Sequence, residues 1–111
     1  MLAKRYRLHS YLIPNFQGQK HPGRLLLVIG APSPLSRDRL ATIISKKVSA
    51  KATARNTLKR ALHETLRPYV DTPPYFDYLI IARRSPDAVA QDYAADLLRL
   101  VTQLKTPQPT A

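Results

Sequence analysis

Three short apolar runs, each bounded by turn residues, indicate β-strands along the chain. They cover residues 24–29, 39–45 and 78–82. The first run stops at Gly30, and the second is rich in β-branched residues, which pack well on a pleated surface. None of them approaches the roughly 20 apolar residues that a membrane-spanning helix requires. We therefore predict a sheet formed by these segments and no membrane-spanning helix.

Between the second and third runs, apolar positions recur with the period of an α-helix. A helix over residues 53–67 separates an apolar arc from a polar one. The apolar arc holds Ala54, Leu58, Ala61, Leu62, Thr65 and Leu66. The polar arc holds Asn56, Lys59, Arg60, His63 and Arg67, with Arg55 at the boundary. Pro68 stops the helix. The pattern predicts an apolar face packed on the sheet and a cationic face turned outward.

Two further helices are indicated nearer the chain ends. A short one covers residues 8–13, where Pro14 limits its length. The other has Ser85 as its N-cap and Pro86 in its first turn, and it continues to residue 104. Its expected buried stripe comprises Val89, Tyr93, Leu97, Leu100, Val101 and Leu104.

These elements predict one domain over residues 1–105 and a disordered tail over residues 106–111. A chain of this size supports a single hydrophobic core. The expected fold class is α+β, a small two-layer sandwich with helices packed on a sheet. The pattern alone gives the strand–helix–strand crossover the common right-handed form.

The charge balance narrows the class of partner. Formal net charge is +11, and the 37 residues before Asp38 contain no acid. Such an excess implies a nucleic acid, an anionic membrane or an acidic protein as partner.

The chain has no cysteine, which excludes disulfides, thiolate metal sites and cysteine nucleophiles. The cytoplasm is the default location.

One segment concentrates this charge. Residues 45–67 contain seven Lys or Arg and one acid, Glu64. A solvated helix face is the plain alternative, but such a face normally mixes both signs in i,i+4 pairs, and those pairs are almost missing here. The basic segment therefore favours contact with phosphates. On the predicted outward face, His63 would add a phosphate or sugar contact.

Aromatic residues near the N-terminus allow two interpretations. Tyr11 and Phe16 alternate with basic residues and either stack unpaired bases or pack a short helix against the sheet. For Tyr6 we favour packing. His9 and His21, like His63, lack the spacing and acidic neighbours of a metal site, so we expect no metal bound by protein ligands alone. No catalytic triad, P-loop or carboxylate pair is present in the sequence.

Two motifs together resemble the protein subunit of bacterial ribonuclease P. The first is Ser45-Lys46-Lys47-Val48 after a strand, followed by Arg55-Asn56-x-x-Lys59-Arg60 on a helix. The second is the strand from Asp77 to Arg83, with the letters DYLIIAR. Arg7-Leu8 is similar to the family's N-terminal start. The resemblance covers nearly the whole chain, about residues 1–104.

This resemblance implies a topology and separate roles for a protein subunit and a catalytic RNA. The element order would be α-β-β-β-α-β-α, with a mainly antiparallel sheet and a left-handed βαβ crossover, similar to the second domain of ribosomal protein S5. The chain would be an accessory subunit without catalytic residues, because the family's catalytic subunit is an RNA that cleaves the 5′ leader from precursor tRNA. Mg²⁺ would be the cofactor, bound mainly by that RNA.

The family's functional positions carry over residue by residue. The catalytic RNA would be held by Lys51, Arg55, Asn56, Lys59, Arg60 and Arg67, with Lys46 and Lys47 reaching the RNA or the edge of a cleft. The leader would cross the open sheet face near Tyr11, Phe16 and Arg24. The expected partners are ribonuclease P RNA and precursor tRNA, with no membrane and no obligate protein partner.

Two rival functions remain open from the sequence. One is a ribosome-associated protein that binds rRNA through the same basic helix, since fold alone does not separate the two. The other is a nuclease that acts without RNA, for which the sequence offers no general base and no metal ligands.

Overall fold

A mixed sheet with two helices forms the described part of the protein. The structure is a computed structural model that describes residues 6–8, 16–35, 37–48, 51–70, 73–85 and 88–105. Its elements are β1 (Gln19–Pro22), β2 (Leu26–Pro32), β3 (Arg39–Ile43), α1 (Ala52–Leu66), β4 (Phe76–Ala82) and α2 (Ala90–Lys105). The apolar pattern did not predict β1, because its sequence QKHP has no strand-like alternation. The predicted α+β class is confirmed.

The strands lie in the order β1-β2-β4-β3. β1 pairs with β2 and β2 with β4 in antiparallel fashion, whereas β3 and β4 are parallel. Beyond β3, residues 6–8 extend this edge: Arg7 forms a parallel bridge with Leu40, and the Leu8 N–H donates to the Leu40 carbonyl at 2.9 Å. The sheet is mainly antiparallel, as predicted, and the hand of the β3–α1–β4 crossover stays a prediction.

The core lies between one face of the sheet and the two helices. Alternate strand residues turn inward, because successive side chains of a strand point to opposite faces. The sheet contributes Leu26, Val28, Leu40, Tyr78 and Ile80, and the helices contribute Leu58, Leu62, Leu66, Tyr93, Leu97, Leu100 and Val101. The opposite face, which we call the outer sheet face, carries Leu27, Ile29, Ala41, Ile43, Leu79 and Ile81.

The first described helix agrees with the sequence pattern. α1 begins one residue before the predicted start and ends one residue before the predicted end. Leu58, Leu62 and Leu66 are buried, as their spacing predicts. The strand before it is shorter than predicted, since β3 ends at Ile43 and not at Ser45.

The predicted start of the last helix is wrong. α2 begins at Ala90, and the carboxylate of Asp92 accepts a hydrogen bond from the Val89 N–H at 2.8 Å. This contact caps the helix in the way a third-position acid does in a capping box, so Val89 and not Ser85 precedes the first helical residue. Val89 is 61% exposed and does not belong to the buried stripe.

Asp96 joins α2 to the sheet. Its Oδ2 atom accepts hydrogen bonds from the N–H groups of Leu25 at 3.0 Å and Leu26 at 3.1 Å, and Arg99 donates to Oδ1 at 3.0 Å. These donors outweigh burial and hold the pKa of Asp96 below its usual value. Gly23 is needed beside this contact, because a Cβ there would collide with the Asp96 carboxylate and with Leu100.

Two predicted segments fall outside the described residues. They are the short helix, of which only Leu8 is described, and the tail over residues 106–111. Within the residues that are described, no helix combines the length and apolar character needed to cross a bilayer.

Candidate nucleic-acid interface

The exposed side of α1 carries most of the predicted RNA-binding residues. Asn56 and Arg60 are exposed, as are Lys51 just before the helix and Arg67 at its C-cap, while Arg55 and Lys59 are half-buried. The first turn contains no acid. Because the leucine face packs inward, these polar side chains form one cationic surface, which we call the α1 basic face.

Arg67 of this face is paired within the same segment of the chain. The Arg67 guanidinium donates to Glu64 at two points, from Nε to Oε2 at 3.1 Å and from Nη2 to Oε1 at 2.8 Å. The hydrogen bond from Arg67 lowers the pKa of Glu64 below its usual value. Both side chains are more than half exposed, so the pair is screened by water. To bind RNA, Arg67 would have to exchange Glu64 for a phosphate group.

A tight turn links β3 to the region before α1. The Val48 N–H donates to the Ser45 carbonyl at 3.0 Å, and Lys46 and Lys47 are exposed within that turn. The two lysines are therefore exposed to solvent, and their contact with an anionic partner stays a prediction.

His63 does not lie on the outward face, which corrects the sequence prediction. It is only 4% exposed, and its ring Nε2 lies 3.4 Å from the Thr42 hydroxyl oxygen. The buried face of α1 is wider than the leucine arc, because β3 and residues 6–8 also pack beside the helix. Burial, together with nearby Lys59 and Arg7, lowers the pKa of His63 to about 4. The ring is therefore neutral at pH 7.

A small notch lies where α1, β3 and residues 6–8 meet. Its volume is about 210 Å³, and it is lined by Arg7, Leu8, Leu40, Ala41, Thr42, Lys59 and His63. The Nδ1 atom of His63 is buried and has no hydrogen-bond partner among the described residues. Sequence reasoning missed this site, because its members come from three segments. Lys59, His63 and the Arg7-Leu8 pair are each singled out in the sequence, but nothing there indicates that they meet.

The residues predicted to hold the leader are less well grouped. Tyr11 lies outside the described residues, and Phe16 is half-buried just before β1. Arg24 borders a depression beside α2, together with Asp92, Asp96 and Arg99. Two arginines and two carboxylates balance in charge at this position, and the leader contact at Arg24 stays a prediction.

All five described carboxylates have structural partners. Glu64 pairs with Arg67 and Asp77 with Arg39, while Asp38, Asp92 and Asp96 accept hydrogen bonds from backbone N–H groups. No group of three His, Cys, Asp or Glu able to hold a metal ion is found in the part of the chain that the structure describes. These residues therefore do not fit a Mg²⁺ site.

Known proteins are similar to this chain in sequence and in fold. The family model described as Ribonuclease P matches residues 13–105. The ribonuclease P protein component of Chromohalobacter salexigens is 37% identical over 67 residues, which are 60% of this chain and 52% of the relative. That of Idiomarina loihiensis is also 37% identical, over 61% of this chain and 53% of the relative. The match thus spans about half the length of the curated relatives.

The solved structures extend the likeness over more of the chain. The RNase P protein of Staphylococcus aureus superposes with a TM-score of 0.78 at 23% identity, covering 90% of this chain and 95% of that one. The RNase P protein of Thermotoga maritima gives a TM-score of 0.72 at 24% identity, covering 90% and 98%. At such identities the superpositions show the fold, and the family model supplies the relationship. The chain belongs to the ribonuclease P protein family.

Proposed function

We propose that this chain is the protein subunit of ribonuclease P and that it binds the catalytic RNA through the α1 basic face. The observation that carries the proposal is the separation of charge on α1, with buried leucines on one side and exposed cations on the other. Cations displace the counterions of an RNA backbone, which makes binding favourable and dependent on salt. The turn that holds Lys46 and Lys47 adds two cations before the helix.

In this proposal the catalytic RNA, and not the protein, cleaves the 5′ leader from precursor tRNA. Every described carboxylate already has a partner within the fold, which leaves none of them poised as a general base or a metal ligand. Mg²⁺ would therefore be held mainly by the RNA. The protein would neutralise the phosphates that crowd where the catalytic RNA and precursor tRNA meet, and so promote removal of the 5′ leader.

We assign the leader to the outer sheet face. Ile43 is 37% exposed there, and Leu27, Ile29 and Ile81 are half-buried. Apolar and aromatic surfaces accept the faces of unpaired bases without regard to their sequence. Phe16, half-buried just before β1, supplies an aromatic ring. Tyr11 belongs to the same assignment by family resemblance.

Reconstitution tests the function directly. The purified chain is combined with a bacterial ribonuclease P RNA, and leader cleavage from precursor tRNA is measured at low Mg²⁺ with and without protein. We expect the protein to raise the cleavage rate, because its cations replace part of the screening that Mg²⁺ otherwise provides. An unchanged rate would contradict the proposal. Selective copurification with rRNA would favour the ribosome-associated alternative.

The leader assignment has a separate test. Phe16→Ala is compared with wild type on two precursor tRNAs, one with a leader of several nucleotides and one with a single nucleotide. We expect weaker binding of the long-leader substrate by about 1–3 kcal/mol, the usual worth of one stacked base. Affinity for the catalytic RNA alone should not change. Equal loss on both substrates would show that Phe16 supports the fold rather than the leader.

A further inference from the structure

Lys20 lies on the outer sheet face, in the edge strand β1. It pairs with Ile29 in the register of β1 and β2, whereas its neighbours Gln19 and His21 alternate to the opposite side. His21 pairs with Val28, which is buried in the core, and this pairing fixes the alternation. Lys20 itself is exposed. The lysine therefore lies beside the apolar surface that we assign to the leader.

Charged groups are sparse on the outer sheet face. Within the four strands they are Lys20, Arg39 and Asp77, since Arg39 and Asp77 share the alternation of the outer residues in β3 and β4. The Asp77 carboxylate binds the Arg39 guanidinium at two points, so these two charges are already paired. Lys20 forms no ion pair with any residue that the structure describes. Its ammonium group is available to an anionic ligand on this face.

The strand order determines which part of a bound leader meets this ammonium group. The notch lies between α1 and β3, so a catalytic RNA on the α1 basic face borders the β3 edge of the sheet. β1 forms the other edge, three strand spacings or roughly 14 Å away. A leader that enters the outer sheet face at the β3 edge reaches Lys20 after it has crossed the apolar centre.

An unpaired strand of RNA matches this arrangement of groups. Its bases can lie on the apolar centre of the face, whereas its phosphates require cations or water. The ammonium group of a lysine carries three donors and no acceptor, and it binds phosphate as a compact point charge. A neutral ligand would leave this charge without a partner. The chemistry of the β1 edge therefore selects a phosphate.

We propose that Lys20 binds a phosphate of the 5′ leader at the β1 edge and thereby makes the binding of precursor tRNA depend on leader length. The leader as ligand rests on the proposed function, whereas the position of Lys20 on the outer sheet face does not. A leader of one nucleotide does not span the sheet to β1, but a longer leader does. Lysine in an edge strand also hinders pairing with a second chain, and the experiments below separate the two roles.

Lys20→Gln tests the contact in the complex of the protein with ribonuclease P RNA. Binding is measured over a range of salt for two precursor tRNAs, one with a single-nucleotide leader and one with a leader of several nucleotides. We expect the variant to bind the long-leader substrate about two- to fivefold more weakly, as for one exposed charged contact. The slope of log K against log salt should fall by about 0.7, the value for one phosphate of a single strand. The single-nucleotide substrate should bind as it does to wild type.

Arg60→Gln is the matched control, because it removes one exposed charge from the α1 basic face. It should weaken assembly with the catalytic RNA and affect both substrates alike. Lys20→Arg keeps the charge and should retain the wild-type dependence on leader length. Equal losses on both substrates in Lys20→Gln would indicate general attraction and overturn the role of Lys20. If Lys20→Gln binds both substrates as wild type does but sediments as an oligomer, the lysine protects the edge strand and the leader contact is wrong.

Cross-linking locates the contact independently of affinity. The chain has no cysteine, so Lys20→Cys supplies a single thiol for a photoreactive probe. We expect cross-links to leader nucleotides distant from the cleavage site. Gln103→Cys lies exposed on α2, which packs on the other face of the sheet, and should cross-link the leader little. Equal cross-linking of the leader from both positions, or cross-links from Lys20→Cys to the catalytic RNA alone, would overturn the proposal.

Cleavage by the reconstituted complex separates failure of the proposed function from failure of the Lys20 contact. If the wild-type protein does not raise leader cleavage by ribonuclease P RNA, the proposed function and the leader contact are both wrong. If it does raise cleavage and the effect of Lys20→Gln is independent of leader length, the Lys20 contact alone is wrong.

Discussion

The guanidinium of Arg39 meets the carboxylate of Asp77 at two points across the parallel pairing of β3 and β4. Nε donates to Oδ1 at 2.9 Å, and Nη2 donates to Oδ2 at 2.7 Å. The side chains are only 15% and 9% exposed, and the two residues are partners in the strand register. Because α1 connects these two strands, this ion pair holds the frame that carries the α1 basic face.

Replacing Asp77 by Asn should destabilise the protein. The change leaves a nearly buried guanidinium with a neutral partner, and the lost charge-assisted contact is worth about 2 kcal/mol. Urea denaturation of the purified variant measures the change in the free energy of unfolding. The control is Glu64→Gln, which breaks the exposed Arg67 pair and should cost nothing measurable. Equal losses in both variants would show that burial of the Arg39 pair is unimportant.

Stability should fall as the pH drops from about 6.5 to about 4, because of His63. The unfolded histidine titrates near pKa 6.5, whereas the folded one titrates at about 4. Between these values the unfolded state binds more protons, so the free energy of unfolding decreases with falling pH, and the contribution of His63 levels off below about 4. The full loss is about 3 kcal/mol. Urea denaturation in chloride buffers, free of sulfate and phosphate, measures it.

His63→Asn is the control for this pH dependence. The amide does not titrate, so the variant should keep a nearly constant free energy of unfolding from pH 6.5 to 5. The groups around the ring support the assignment: Lys59 on α1 and Arg7 beside β3 oppose protonation, and Glu64 only partly compensates. Identical pH profiles in the two proteins would show that His63 titrates normally.

Arg60→Ala should weaken binding of the catalytic RNA and flatten its dependence on salt. Arg60 is exposed on α1, and one lost phosphate contact reduces the slope of log K against log salt by about one. Binding is measured without precursor tRNA at several salt concentrations. Lys20→Ala, an exposed charge on the far sheet edge, should leave the slope nearly unchanged. A slope equal to wild type in Arg60→Ala would remove Arg60 from the interface.

The start of α2 offers a direct test of its cap. Asp92→Ala removes the acceptor of the Val89 N–H and should cost about 1 kcal/mol in the free energy of unfolding, as other helix caps do. Ser85→Ala should cost less than about 0.5 kcal/mol, because Ser85 lies outside the helix. Thermal or urea denaturation distinguishes the two. A larger cost for Ser85→Ala would restore the cap that the sequence predicted.

The sequence by itself determined the elements with strong local patterns. The leucine period and Pro68 placed α1 to within one residue at each end, and apolar runs located β2, β3 and β4. The excess of cations in residues 45–67 indicated a nucleic-acid partner, because charge composition is independent of how the chain folds. The two motifs indicated the family, which the family model confirms.

Tertiary structure decided which side of α1 is buried and what meets there. The strip beside the leucines looks polar in the sequence, yet β3 and residues 6–8 pack against it and enclose His63. β1 exists because β2 offers it backbone partners, not because of its own side chains. The spacing of residues in the sequence does not distinguish Asp92 from Ser85 as the residue that caps α2. In the structure, Asp92 accepts the capping hydrogen bond. The burial of His63 depends on contacts between segments distant in the chain, and β1 depends on pairing with its neighbouring strand, neither of which local periodicity encodes.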